Sequence, residues 1–193
     1  LVGSEMCIRD RPKYNIREID TSSIEPGIPF FLDAIILFWL YSGYPIKDRD
    51  AEKVQMYSNF IGKLIQNGNV FETSAGNVQE ILNLIERTEF NLYKETTNGQ
   101  LGKKEYRKNN EQRRRVRSKV KAIYLAICQN CKIIDLRVKG QVIEKFADTF
   151  AEHLYDPMDF LIVEDCVMRG QRNIITNDFD FVSDQRLNVY VVG

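Results

Sequence analysis

IPFFLDAIILFWLYSG, residues 28–43, is the most apolar run in the chain, and one charge, Asp33, sits inside it. Ile28 to Leu32 reads as a short buried strand, aromatic and apolar, with Pro29 at its start. Ala34 to Tyr41 reads as the helix that follows. Asp33 then falls where strand becomes helix. A carboxylate with so little polar company needs a reason to be there, because burying a charge without a partner is costly. It either caps the helix or holds something cationic in a crevice. In open α/β sheets that crevice lies beyond the carboxyl ends of the strands, where this Asp would point.

The pattern continues outward from this run. Residues 12–27 are polar, with Pro12, Pro26 and Gly27, and read as an extended lead-in. From Asp48 to Gln66 apolar residues recur at helical spacing, and Asn67-Gly68-Asn69 ends that helix. Val70 to Thr73 is a strand candidate. Ser74 or Asn77 caps the next helix, with Val78, Ile81, Leu82 and Ile85 on one face. Residues 91–112 look least regular, and Gly99 and Gly102 suggest a loop ahead of a long basic helix. That helix turns apolar through Val120, Ile123, Tyr124 and Ile127. Cys131 to Val138 reads as a strand, Val142 to Leu154 as a helix. Asp156-Pro157-Met158-Asp159 opens another helix that stops at Gly170: an Asp cap, Pro at the first position, an acid in the first turn. Asn173 to Thr176 and Asn188 to Val192 complete the strands. Strands alternating with helices predict an α/β protein with a mostly parallel sheet and right-handed crossovers.

A chain of 193 residues holds one sizeable core, and 44% hydrophobic with 28% charged residues is ordinary for a globular protein. The net charge is zero, so no global field selects nucleic acid or membrane as partner. No apolar run is long enough to span a membrane. Four scattered cysteines (7, 128, 131, 166) suit a reducing, cytoplasmic compartment better than a disulfide framework. LVGSEMCIRDR, residues 1–11, resembles translated sequencing-adapter read-through and is expected to be a non-native leader. NVYVVG stops directly after a strand-like run, so the natural chain is expected to continue.

Several acids fall at equivalent topological positions. Asp33 follows the first strand, Glu80 lies in the helix after the second, and Asp159 starts the helix before the NIIT strand. Asp178 and Asp180 follow that strand. With parallel neighbouring strands, all of them reach one crevice at one sheet edge. Clustered carboxylates raise each other's pKa, and a hard divalent cation relieves the repulsion. Each acid also has a plainer explanation. Asp159 and Asp178 suit helix caps, and Glu80 suits a solvated helix face. The case rests on the set.

The strand-Asp-helix at Asp33, Glu80 in a Ser/Thr-led helix, Asp159 in DPMDFLIVEDCVMRG and the closing IITNDFDF together resemble the PIN-domain nucleases, over roughly residues 28–193. The resemblance implies a single three-layer α/β/α domain. It implies that Asp33, Glu80, Asp159 and Asp178 bind Mg²⁺ or Mn²⁺, with Asp180 as an additional acid and Thr176 and Asn177 in support. It implies metal-dependent cleavage of RNA, and, for the toxin-like members, an antitoxin partner and a homodimer. Two features depart from the family: bulky Phe160, Leu161 and Ile162 after Asp159, and a longer, more basic segment at about 91–130.

From Lys103 to Lys121 ten Lys/Arg face two Glu, a local excess of +8. Arg113, Arg114, Arg115, Arg117 and Lys119 are the candidates for RNA backbone contact. The plainer alternative is a solvated helix whose charges balance acids elsewhere. Tyr106 is the only aromatic among them, so no base-stacking platform is indicated. Cys128-x-x-Cys131 has no second pair and His153 is the only histidine, so a zinc site is not expected, and the thiols read as buried and structural. No nucleophile elbow, dinucleotide fingerprint or Walker loop occurs. Two rivals remain. One is a PIN-like module that binds RNA or protein without turnover. The other is an Asp-based phosphoryl-transfer protein, disfavoured because Asp33-Ala34-Ile35 lacks the second acid of an Asp-x-Asp nucleophile and no acid pair precedes the strand.

Overall fold

The structure is a computed structural model and describes residues 14–97, 102–137, 139–152 and 154–193. The expected leader with Cys7, the Gly99 turn and His153 lie outside the described residues.

Among the described residues six strands form one all-parallel sheet: β1 (Tyr14–Asn15), β2 (Pro29–Leu32), β3 (Val70–Ser74), β4 (Lys132–Ile134), β5 (Asn173–Ile175) and β6 (Asn188–Val191), in the order β1-β6-β5-β2-β3-β4. Among the described residues seven α-helices connect them: α1 (Ala34–Tyr41), α2 (Asp48–Gln66), α3 (Ala75–Thr96), α4 (Lys103–Lys108), α5 (Asn110–Asn130), α6 (Gly140–Thr149) and α7 (Pro157–Arg169). Side chains alternate across β2, which decides the layers. Phe30 and Leu32 pack with Ile36 and Leu37 of α1, Tyr57 and Leu64 of α2, Ile81 and Ile85 of α3 and Ile127 of α5. Phe31 points to the other face, with Ile174, Phe160 and Val163 of α7 and Val142 of α6. The fold is thus α/β in three layers, as the strand–helix alternation predicts.

The strand order positions the site. From β2 the chain winds outward through β3 to β4 with its helices on one face. It then returns to β5 with α6 and α7 on the other face. Right-handed crossovers in opposite directions require this change of face. The reversal opens a crevice at the carboxyl ends of neighbouring β2 and β5, the place where such sheets bind ligands.

The residues explain most element ends. Asp156 caps α7 through Oδ1, which accepts from the Met158 and Asp159 amides at 2.7 and 2.9 Å. Gly170 ends α7 at φ 74°, a left-handed conformation that glycine adopts without strain.

Five features differ from the sequence expectation. The lead-in is pinned by β1, which pairs with β6 at the sheet edge, so the folded unit starts before residue 28. The segment at 91–112 is largely helical: α3 runs to Thr96, and α4 and α5 are separate helices joined at Asn109. The Asn109 side chain accepts from the Glu111 and Gln112 amides, which restarts the helix there. The strand expected over 131–138 narrows to β4, and the helix expected over 142–154 becomes α6 followed by a 3₁₀ turn at Phe150–Glu152. Cys131 and Cys166 are buried free thiols, whereas Cys128 is exposed.

Candidate functional site

The carboxyl end of β2 is held from both sides. The Leu32 carbonyl accepts from Thr73 Oγ1 at 2.9 Å and from Asn77 Nδ2 at 3.1 Å. The Asp33 amide donates to the Ile175 carbonyl on β5 at 3.1 Å. Ser74 caps α3 by accepting the Asn77 amide at 3.0 Å, so the start of α3 docks against β2 and carries Glu80 toward its end. Gly76 lets that helix start approach α7: a Cβ there would stand 3.1 Å from Met158 Sδ.

Asp33 itself is tied at both oxygens. Oδ1 accepts the Ala34 amide at 2.6 Å, and Oδ2 accepts the Thr176 hydroxyl at 2.7 Å. The buried Thr176 oxygen in turn accepts the Asp178 amide at 2.9 Å. One hydroxyl therefore fixes both acids at the β2–β5 switch. Behind it, Tyr57 of α2 donates to the Thr176 carbonyl at 2.6 Å and accepts the Val192 amide at 3.0 Å. Asp178 Oδ1 accepts the Asp180 amide at 2.9 Å and so caps the 3₁₀ turn at Phe179–Ser183.

These elements form an open cleft of about 360 Å³ lined by Asp33, Glu80, Asp156, Asp159, Asn177 and Asp178, together with Ala34 and Ile35. The four acids singled out from the sequence, Asp33, Glu80, Asp159 and Asp178, do face one space. Asp180 does not line it. Asp156 does, although the sequence marks it only as a cap. The available signal was its spacing from Asp159, since residues three apart at a helix start lie on one side. Tyr57 and Asn77 were legible only as core and cap residues. Their hydrogen bonds to the strand ends depend on which helix packs over which strand.

The electrostatics of the cleft follow from burial and like charge. Burial, more than any other cause, pushes Asp33 up to about 6, against the pull of Thr176 and the Ala34 amide, and the charges of Glu80 and Asp178 add to the rise. Asp159 is pushed up to about 8, first by burial, then by Asp156, Asp33, Asp178 and Glu80. Glu80 is raised by burial and Asp156, with Arg87 opposing. Among the described residues no ion pair reaches Asp33, Asp159 or Asp178. The Asn177 Oδ1 atom is buried without a hydrogen-bond partner among them. An all-oxygen donor set with mutual repulsion and an orphaned carbonyl oxygen fits a hard divalent cation by its chemistry. As placed, no three His, Cys, Asp or Glu side chains among the described residues form a group that could hold a metal ion.

Part of the basic segment balances acids of α3, the plainer of the two sequence readings. Arg113 pairs with Glu86 at 2.9 Å, beside Arg107 and Lys103. Arg115 pairs with Glu89 at 3.0 Å, beside Lys119. Arg114 and Arg117 are exposed and join no ion pair among the described residues. No helix among the described residues is long and apolar enough to cross a membrane.

No protein-family model matches the sequence. No curated protein matches it. One solved structure to which the chain is similar is that of VapBC2 from Rickettsia felis, bound to a DNA fragment from their promoter. The identity is 15% and the TM-score 0.45, over 84% of this chain and 97% of that chain.

Proposed function

We propose that the protein is a PIN-like, Mg²⁺- or Mn²⁺-dependent endoribonuclease that hydrolyses RNA phosphodiester bonds. One observation carries this reading: Asp33, Glu80, Asp156, Asp159 and Asp178 line one open cleft at the β2–β5 switch point. Asp33, Glu80, Asp159 and Asp178 would hold the cation, with Asn177 Oδ1 as a neutral oxygen donor. When bound, a divalent cation supplies positive charge to the scissile phosphate and makes a nearby water more acidic, so no histidine is needed. Thr176 keeps the Asp33 and Asp178 carboxylates oriented by holding Oδ2 of the first and the amide of the second. Asp159, at about 8, carries its proton at neutral pH until a positive charge in the cleft displaces it. In keeping with the sequence resemblance, an antitoxin protein and a second copy of the chain are the partners to look for.

The second reading is a PIN-like module that binds RNA or protein without turnover. It is favoured by the absence of a ready-made metal group among the described residues. Cleavage of a mixed RNA pool with Mn²⁺, Mg²⁺ or EDTA, beside the Asp33→Asn variant, separates the two. The nuclease cleaves only with metal, and the variant does not. RNA bound but intact under every condition selects the module.

A further inference from the structure

Helix α3 leads away from the acidic cleft. Glu80, Asn83 and Arg87 recur at i, i+3 and i+7 and share one exposed face. Arg87 stands near enough to Glu80 to oppose the rise in its pKa. Asn83 also lines an open groove between α3 and the α4–α5 pair, about 570 Å³ in volume, with Arg107, Arg113 and Arg117 on the other wall. Asn83 is thus common to the helix face that starts at the cleft and to the basic groove.

The groove keeps its positive charge despite the ion pairs within it. Glu86 holds Lys103, Arg107 and Arg113, and Glu89 holds Arg115 and Lys119. Counting these two acids with Glu105 and Glu111 against the ten cations of residues 103–121 still leaves an excess of +6, in a chain whose net charge is zero. The pairs fix the direction of the cations and leave the surface basic. Arg87 and Arg117 are exposed and join no ion pair among the described residues.

A cleft lined by five acids repels a polyanion, so a nucleic-acid substrate must be held by cations beside it. We propose that the exposed face of α3 and the adjoining groove form a track for the backbone of single-stranded RNA running out of the cleft, with Arg87 and Arg117 as phosphate contacts. The choice of RNA rests on the nuclease reading. Tyr106 of α4 is buried against Phe90 and Tyr93 of α3 and offers no platform for bases. The track therefore binds through phosphates and is indifferent to sequence.

The test is fluorescence anisotropy of the full chain with labelled single-stranded RNA of mixed sequence, in EDTA, across a salt series. Arg87→Glu and Arg117→Glu are compared with Lys63→Glu. Lys63 is exposed in the last turn of α2, where Asn67 bonds the Ile24 carbonyl ahead of β3, at the opposite strand end from the cleft. Each track variant is expected to weaken binding about fivefold or more and to lower the slope of log affinity against log salt by about 0.7. Lys63→Glu leaves both near the wild-type values. Track variants that behave like Lys63→Glu, or a polyglutamate peptide that binds as tightly as RNA, overturn the track. Because the assay contains no metal and reads binding alone, it is independent of the cleavage experiment. Metal-dependent cleavage with undiminished binding by both variants leaves the nuclease and removes the track. The expected losses of binding without cleavage do the reverse.

Discussion

Three glutamates on one helix meet two different fates. Glu86 and Glu89 of α3 lie under the α4–α5 segment. Glu86 is held below the usual carboxylate range by its bonds from Arg107 and the cations around it. Burial alone would raise Glu89, but the bonds from Lys119 and Tyr44 outweigh it. Glu80, two turns earlier, faces the cleft and is raised by burial and Asp156. The same contrast runs across the sheet. Glu164 is matched by Lys145 and Arg186, and Asp165 and Glu72 by Arg169. Among the described residues the buried acids Glu86, Glu89, Glu164 and Asp165 all have counter-charges, whereas no ion pair reaches the half-buried Asp33, Asp159 or Asp178. A fold selected for stability alone would not leave these three facing one another, which is why the cleft reads as a site.

The largest effect is expected at Asp33. Asp33→Asn keeps the helix cap but removes the charge at the centre of the cleft. It should reduce metal-dependent RNA cleavage by on the order of 100-fold or more, while the melting temperature holds or rises. Cleavage at the wild-type rate would remove Asp33 from the chemistry.

Glu89→Ala attacks the paired side. It strips Lys119, Arg115 and the Tyr44 hydroxyl of a buried acceptor. The cations are partly solvated, so the cost is about 2 kcal/mol, or about 4–8 °C in melting temperature. An unchanged melting temperature would show the clamp to be ornamental.

Asp159→Asn should act in the opposite direction. The folded-state pKa is about 8 against an ordinary 3.8, so between those values the folded state holds a proton that the unfolded chain lacks. Stability from this group is therefore lost as pH rises from about 4 toward about 8. The uncharged variant avoids the loss and should be more stable than wild type by about 1–2 kcal/mol at pH 8, the gain vanishing near pH 4. Denaturant unfolding at several pH values checks both the size and the trend. A gain independent of pH would contradict the assignment.

Tyr57→Phe is the mildest change. It leaves the ring and deletes the bridge from α2 to the Thr176 carbonyl and the Val192 amide. About 1 kcal/mol of stability should go, with an approximately tenfold loss of cleavage carried by kcat. A loss carried by KM alone would separate Tyr57 from the orientation of Asp33.

Much of this arrangement was legible in the residues. Asp33 stands out because its neighbours are so apolar, and the α7 cap motif and its Gly170 stop read directly from local chemistry. The convergence of Asp33, Glu80, Asp159 and Asp178 followed from assuming parallel strands. Three things were hidden. β1 is two residues long, too short for any alternation to show, and forms only through its pairing with β6. The break at Asn109 is a single capping residue inside a run of charges. Asp180 differs from Asp178 by a two-residue offset, and the 3₁₀ turn decides which of the two lines the cleft. The partners of the basic segment were also out of reach. Glu86 and Glu89 look like solvated helix residues until α5 packs over them.

Calorimetric titration of the wild-type protein with Mn²⁺ near pH 7, in two buffers of different ionisation enthalpy, tests whether Asp33, Glu80, Asp159 and Asp178 form a cation site. Saturable binding that releases up to about one proton is the predicted result, because the proton held by Asp159 must leave when positive charge enters the cleft. The same binding should weaken in Asp178→Asn. The absence of saturable binding, or binding that Asp178→Asn leaves unchanged, would contradict it.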